Sequence, residues 1–170
     1  MQEEDYDDGY EHVDSSVEAA DYLHETIFDF AAVILKLCLT DEKKHPKKYE
    51  GSPLPSVKIR LITTMMKCWD NNKERLAEHY VNYVLNWRNY IDDRNEDFFL
   101  KNDHIYPNAP KADIEFFRDL WRPHSTYHLN KREKESVFEY FDIMIHYCAE
   151  WKRLKPYVAE WEKEQDTSVD

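Results

Sequence analysis

Glycine is nearly missing from this chain, which has only Gly9 and Gly51 in 170 residues. Globular proteins average about 7% glycine, and glycine is the residue that most readily takes the positive φ angles of tight turns. Phosphate-binding glycine loops and the G-x-S-x-G turn of many hydrolases are therefore excluded. A chain with few tight turns is expected to consist of long regular elements, and we favour helices.

Paired cysteines are also absent. The three cysteines, Cys38, Cys68 and Cys148, are far apart in the sequence and form no C-x-x-C motif. With no secretory leader ahead of them, we predict a reducing compartment, the cytoplasm or the nucleus. Each cysteine falls on the apolar stripe of a different predicted helix, where a thiol behaves as a small hydrophobe. A cysteine nucleophile is not expected, because His146, two positions from Cys148, would point elsewhere on a helix.

Long apolar runs are absent too. The longest, residues 30–39, is interrupted by Lys36 and is about half of the roughly 20 residues that cross a bilayer. We therefore interpret it as a segment of a buried helix and predict no membrane association.

Lysine and arginine are absent from the first 29 positions, which hold eleven acids. The whole chain has 35 acids and 23 basic residues. Removing the eleven acids leaves 24, so residues 30–170 have a formal charge of about −1. An acidic N-terminal segment repels a phosphate backbone, so we predict no direct nucleic-acid binding. Acidic tails often bind other proteins, and the segment predicts a protein partner with a basic surface.

What the chain does contain is typical of one globular domain. Apolar residues make up 42% and charged residues 34%, and a chain of this length can bury a sizeable core. We predict an all-α fold, a single helical bundle of five to six helices over residues 14–165. A flexible acidic arm, residues 1–13, precedes the bundle, and a frayed tail, residues 166–170, follows it.

Apolar residues at spacings of three and four predict the individual helices. The predicted helices are 16–39, 72–91, about 12 residues ending before Pro123, and 131 to about 155. Their predicted N-terminal caps are Ser15 with Glu18, Asn71 with Glu74, and Asn130.

Two segments fit more than one structure. Residues 57–68 alternate like a strand, yet Val57, Leu61 and Met65 also recur like one stripe of a helix. No second strand is available for pairing, so we favour a helix. Residues 92–103 either extend the preceding helix or form a separate short helix that ends near Asn102, and both alternatives stay open.

The favoured function is a non-catalytic protein–protein interaction module, adaptor or regulatory, without metal or cofactor. Two surfaces are candidates for the contact: the acidic arm and the aromatic-rich segment from 98 to 128. The aromatic side chains also suit core packing, and they form an interface only if several are exposed together. The candidate partner-binding residues are Tyr6, Tyr10, Phe98, Phe99, Tyr106, Phe116, Trp121 and Tyr127.

The alternative function is enzymatic. Carboxylates recur on the first and last helices as Glu18, Asp21 and Glu25, and as Glu135, Glu139 and Asp142. This pattern resembles the all-helical nucleotide pyrophosphohydrolases, which place ExxE and ExxD pairs on neighbouring helices. The resemblance implies magnesium-dependent phosphoester hydrolysis with Glu18, Asp21, Glu25, Glu139 and Asp142 as ligands. Only Glu139 to Asp142 matches as written, since Glu18 to Asp21 has an aspartate in place of the second glutamate. A set of lysines or arginines for the phosphates is not identifiable.

The histidines give no metal site. His124 and His128 have the spacing of a zinc pair, but Pro123 places them in a loop and a third ligand is not evident. His24 lies among apolar residues and is interpreted as a core histidine. Its spacing from Asp21 would suit a di-iron helix, but such a site needs a second helix of the same kind.

Overall fold

A computed structural model describes residues 9–51, 53–68, 70–102, 115, 118–122 and 129–155. Within these ranges the regular structure is entirely helical, which confirms the all-α prediction. The helices are α1 (Ser16–Lys44), α2 (Pro55–Lys67), α3 (Lys73–Val84), α4 (Arg88–Asp92), α5 (Glu96–Lys101) and α6 (Lys131–Leu154). Two 3₁₀ turns, Pro46–Tyr49 and Leu85–Trp87, connect them, and residues 118–121 are also helical.

Helix α1 is the centre of the bundle and packs against α2, α3 and α6. Its aromatic side chains show that α6 runs antiparallel to it. Tyr22 stacks on Tyr147 at 5.1 Å between ring centroids, whereas Phe30, two turns later, meets the earlier residue Phe141 at 5.6 Å. Burying each large apolar side chain contributes about 1.5–3 kcal/mol, so these contacts stabilise the packing of α1 against α6.

The predicted N-terminal cap of α1 is present in altered form. The Ser15 hydroxyl accepts a hydrogen bond from the N–H of Glu18 at 3.1 Å. The Glu18 carboxylate bonds the N–H of Asp14 at 3.1 Å rather than that of Ser15. The helix continues five residues past its predicted end, because residues 40–44 contain no helix breaker and Pro46 is the first one.

The cap predicted for α3 was wrong by one residue. Asn72, not Asn71, is the cap, and its side chain accepts the N–H of Arg75 at 3.3 Å. Glu74 makes no reciprocal bond because it points to other helices. Asn130 caps α6 as predicted, with a complete capping box formed with Glu133.

The structure shows which alternative each of the two ambiguous segments adopts. Residues 55–67 form a helix, as favoured. Residues 92–103 do not extend α4, because Arg94 adopts a left-handed backbone with φ of 51° and separates α4 from α5. This conformation costs about 1–2 kcal/mol in a residue other than glycine. The Arg94 guanidinium offsets the cost by donating to the Ile91 carbonyl at 2.9 Å and to Asp142 at 2.7 Å.

The end of the predicted arm lies on the bundle. Tyr10 stacks on His146 at 4.1 Å between ring centroids, and the N–H of Glu11 donates to the Tyr147 hydroxyl at 3.3 Å. Val13 is buried in the core. Tyr10 and Glu11 therefore contact α6, while residues 1–8 and 156–170 lie outside the described residues.

Candidate functional site

The aromatic residues predicted to form a partner surface are part of the core where the structure describes them. Phe98, Phe99 and Trp121 are each at most 5% exposed. Phe99 and Trp121 stack at 4.4 Å, and both rings contact Phe138 of α6. This is a correction of the predicted surface, because α5 is packed with its aromatic face inward. Tyr10 is half-buried on His146. The remaining candidates, Tyr6, Tyr106, Phe116 and Tyr127, lie outside the described residues, as do His124 and His128.

The carboxylates of the enzymatic alternative do not gather at one place. Asp142 forms a bidentate pair with Arg94, Glu18 caps α1, and Asp21 lies 3.6 Å from the Lys73 amine. Glu25 and Glu139 are exposed. Among the described residues, which include all five of these carboxylates, no group of three or more His, Cys, Asp or Glu side chains could hold a metal ion. The predicted ligand set for magnesium is therefore dispersed.

Two of the three cysteines occupy the core. Cys38 and Cys148 are fully buried, and burial raises the pKa of the Cys148 thiol to about 12, which keeps it protonated at neutral pH. Cys68 is exposed, which corrects its predicted place on a buried stripe. It follows the last residue of α2 and lies on the outward side of that helix.

His24 is a core histidine, as the sequence indicated. Its Nε2 atom lies 3.0 Å from a carboxylate oxygen of Asp70. Burial lowers the pKa of His24, and the positive charge of Lys73 lowers it further, while Asp70 opposes both effects. The contact is thus an ion pair only in the minority of molecules that carry the protonated ring at neutral pH.

Helix α2 has an exposed apolar stripe that the sequence did not predict. The stripe made of Val57, Leu61 and Met65 faces away from the bundle, with 44%, 59% and 70% of these side chains exposed. The buried side of the helix is instead the second apolar stripe, with Ile59 and Met66 in the core. A helix with apolar residues on two opposite sides has only one side covered.

A pair of hydrogen bonds decides which side of α2 is covered. The N–H and the hydroxyl of Ser56 both donate to the Glu42 carboxylate, each at 2.8 Å. A carboxylate is stabilised at a helix N-terminus by the unpaired N–H groups and the helix dipole. Because Ser56 is held against the end of α1, Ile59 and Met66 turn inward and Leu61 turns outward.

We call the exposed apolar residues of this helix the α2 outer face. The large apolar residues in it are Leu54, Val57, Leu61, Ile62 and Met65. Beside them lies an apolar cavity of about 130 Å³ between α1, α2, α3 and α6, partly open to solvent. Ile62 belongs to both, because it lines the cavity and is 41% exposed. Apolar cavities near this size can hold a benzene-sized group.

The surroundings of the α2 outer face are basic. Residues 43–67 contain one acid, Glu50, and seven basic residues, a net charge of +6 in a chain whose total is −12. The basic residues are Lys43, Lys44, Lys47, Lys48, Lys58, Arg60 and Lys67. Arg60 and Lys67 on α2 are exposed. The charged side chains of α2 itself, Lys58, Arg60 and Lys67, are all basic, whereas Lys48 in the preceding turn lies 3.8 Å from the Asp41 carboxylate.

No protein family, curated protein or solved structure matches the chain. Across the described part of the chain, the helices include none with a stretch long and apolar enough to cross a membrane.

Proposed function

We propose that the chain is a non-catalytic protein-binding module, adaptor or regulatory, and that the α2 outer face is its main contact surface. One observation carries the proposal: α2 is apolar on two opposite sides, and the bundle covers one of them. Five of the eight most exposed large apolar side chains in the described part of the chain lie between positions 54 and 65. An apolar side of a helix is normally covered, and several exposed apolar side chains on one side of a helix indicate an interaction site.

The shape of this surface suits an amphipathic segment of another protein. Such segments bind grooves through apolar side chains that recur every three or four residues. One apolar side chain of the partner enters the cavity beside Ile62, and its neighbours pack on Leu61 and Met65. Methionine adapts its shape to different contacts, so Met65 suits a binding surface. The basic residues of α2 favour a partner segment whose polar side is acidic.

The acidic arm remains a second proposed contact, for a partner with a basic surface. Glu18, Asp21 and Glu25 on α1 are exposed and extend the charge of the arm along one side of the helix. Cys38 and Cys148 are buried in the core and form no disulfide, which supports the proposal that the protein works in the cytoplasm or the nucleus.

Affinity purification from the native host with quantitative mass spectrometry tests the proposal. The bait is the full chain, compared with the variants Leu61→Asp and Met65→Asp. Asn89→Asp is the matched control, because it introduces the same charge at an exposed position on α4. We expect a protein that co-purifies with the wild type and the control and is lost with both α2 variants.

The captured protein is then purified and its affinity measured by calorimetry. Losing the burial of one leucine side chain removes about 1.5–3 kcal/mol, so Leu61→Asp should weaken binding at least about tenfold. Circular dichroism and melting temperature should be unchanged, because the side chain is exposed in the free protein. An unchanged set of captured proteins, or equal affinities of the wild type and Leu61→Asp, would contradict the proposal.

A further inference from the structure

We propose that the cavity between α1, α2, α3 and α6 is a binding site for a small neutral aromatic molecule with a single ring. The site goes beyond the proposed function, because its ligand is a free molecule that enters the isolated protein without a partner. Leu61 and Met65 do not line the cavity, so the bound ring leaves them exposed.

The volume of the cavity matches one aromatic ring. It measures about 130 Å³, whereas the voids in ordinary protein cores are seldom larger than a water molecule. An apolar cavity of about 150 Å³ binds benzene. Side chains around an empty space lack contacts on one side, so a molecule that fills the space gains contacts with the whole wall.

The chemistry of the wall excludes water and charged ligands. The wall is almost entirely apolar, and no charged side chain is among the described residues that line it. The Thr63 hydroxyl in the wall already donates to the Ile59 carbonyl at 2.7 Å. A trapped water needs about two to four polar partners. A carboxylate or ammonium group would lose its hydration without gaining a counter-charge, so the ligand is neutral.

Rings and thioethers in the wall favour an aromatic ligand over an alkane. Phe30 and Phe141 lie 5.6 Å apart between ring centroids with their planes tilted by 55°, and Trp87 meets Phe141 edge-on at 5.9 Å. A ligand ring among them can make further tilted or edge-to-face contacts, which contribute beyond burial alone. Met66 and Met144 also line the cavity, and a thioether next to a ring is a favourable contact.

The cavity can be entered from solvent at α2. Ile62 lines the cavity and is 41% exposed, and Thr63 beside it is half-buried. A ring can therefore reach the cavity without unfolding of the bundle, and a substituent on the ring can project through the opening.

Nuclear magnetic resonance of the full chain with ¹³C-labelled methionine methyl groups tests the proposal, with benzene as the probe. Met66 and Met144 line the cavity, whereas Met65 is 70% exposed outside it. The ring current of bound benzene should shift the methyl signals of Met66 and Met144 saturably and leave that of Met65 in place. A titration that shifts only the Met65 signal, or none of the three, would overturn the proposal.

Two neighbouring alanines of α1 provide matched variants. Ala31 lines the cavity and Ala32 is exposed. Ala31→Leu adds an isopropyl group inside the cavity and should weaken benzene binding at least about tenfold, because the new side chain occupies the space of the ring. Ala32→Leu adds the same group outside and should bind like the wild type.

Thr63→Leu fills the cavity from α2 and serves as a second variant if Ala31→Leu does not fold. Circular dichroism identifies which variants are folded. A folded cavity-filling variant that binds benzene as tightly as the wild type would place the ligand elsewhere and contradict the site.

The chemical class of the ligand is tested with cyclohexane, a saturated ring. Benzene should bind several-fold more tightly, because only benzene makes edge-to-face contacts with Phe30 and Phe141. At ten times its Kd, benzene should also raise the melting temperature by about 3–6 °C. Equal or tighter binding of cyclohexane would contradict an aromatic ligand.

These results are distinguishable from those that test the proposed function. Leu61→Asp, outside the cavity, should bind benzene like the wild type and lose the protein partner. If benzene does not bind and Leu61→Asp still loses the partner, the ligand site is wrong and the protein-binding function stands. If benzene binds and Leu61→Asp keeps every partner, the ligand site stands and the binding function is wrong. When both hold, benzene should lower the partner's affinity several-fold, because a partner side chain enters the same cavity.

Discussion

Helices α2 and α6 both carry apolar residues at spacings of three or four, but the stripe of one helix is exposed and that of the other is buried. In α6 the stripe of Val137, Phe141 and Met144 is buried against α1. In α2 the stripe of Val57, Leu61 and Met65 faces outward. The opposite side of α6 is polar, so that helix has one way to pack, whereas α2 offers a second apolar stripe. The comparison teaches that an apolar stripe predicts burial only when the other side of the helix is polar.

The largest expected difference is in stability. Phe138 on α6 is 3% exposed and its ring contacts Phe99 and Trp121. Phe138→Ala should lower the free energy of unfolding by about 3–5 kcal/mol, because it leaves a cavity among these rings. Leu61→Ala on α2 should cost less than about 1 kcal/mol, since the side chain is mostly exposed. Urea denaturation measures the free energy of unfolding of both variants. Similar losses of stability in the two variants would contradict the difference between α2 and α6.

A second prediction concerns the attachment of α2. Glu42→Ala removes the acceptor of two hydrogen bonds from Ser56, and losing bonds to a charged group costs about 1–3 kcal/mol. The cost should be local, because Ser56 joins α2 to α1 without involving α6. Hydrogen exchange should therefore speed up across residues 55–67 and stay unchanged across residues 131–154. Glu50→Ala, an exposed acid in the preceding loop, is the control and should leave both unchanged.

The smallest effect is a pH dependence at the end of α6. The pKa of Glu74 is lowered below its ordinary value of 4.5, because the bonds from Ser16 and Lys155 outweigh the opposing effect of burial. A lowered carboxyl pKa gives stability that is present above the ordinary value and is lost as the pH falls through the folded value. Glu74→Gln should therefore be less stable than the wild type at pH 7, and the difference should shrink as the pH falls below 4.5.

Melting curves of both proteins between pH 7 and pH 3 measure this effect. A stability difference that stays constant over the whole pH range would show that Glu74 stabilises the bundle by packing rather than by charge.

Much of the fold could be predicted from the sequence because it depends on local signals. The cap at Asn130, the stripe of α6 and the helical nature of residues 55–67 follow from residues close in the chain. The break at Arg94 could not be predicted, because its left-handed backbone is stabilised by Asp142, 48 residues away. The rotation of α2 could not be predicted for the same reason, since the bonds from Ser56 to Glu42 select one of two apolar stripes.

The burial of the predicted aromatic surface could not be predicted for a related reason. Aromatic content suggested the segment around Phe98 and Trp121, but aromatic residues bury large areas and these two complete the core. An exposed surface could have been predicted from α2, because its 13 residues contain two apolar stripes and its charged residues are all basic. A helix with more apolar surface than its contact with the bundle can bury is expected to have a second contact surface.

The most direct test of the account compares two adjacent methionines in one helix. Met65 is 70% exposed and Met66 is 8% exposed, and hydrogen peroxide oxidises accessible methionine to the sulfoxide. Peptide mass spectrometry of the free protein should show Met65 oxidised several-fold faster than Met66, with Met65 protected once the partner is bound. Faster oxidation of Met66, or a rate at Met65 that the bound partner leaves unchanged, would contradict the outward orientation or the binding role of the α2 outer face.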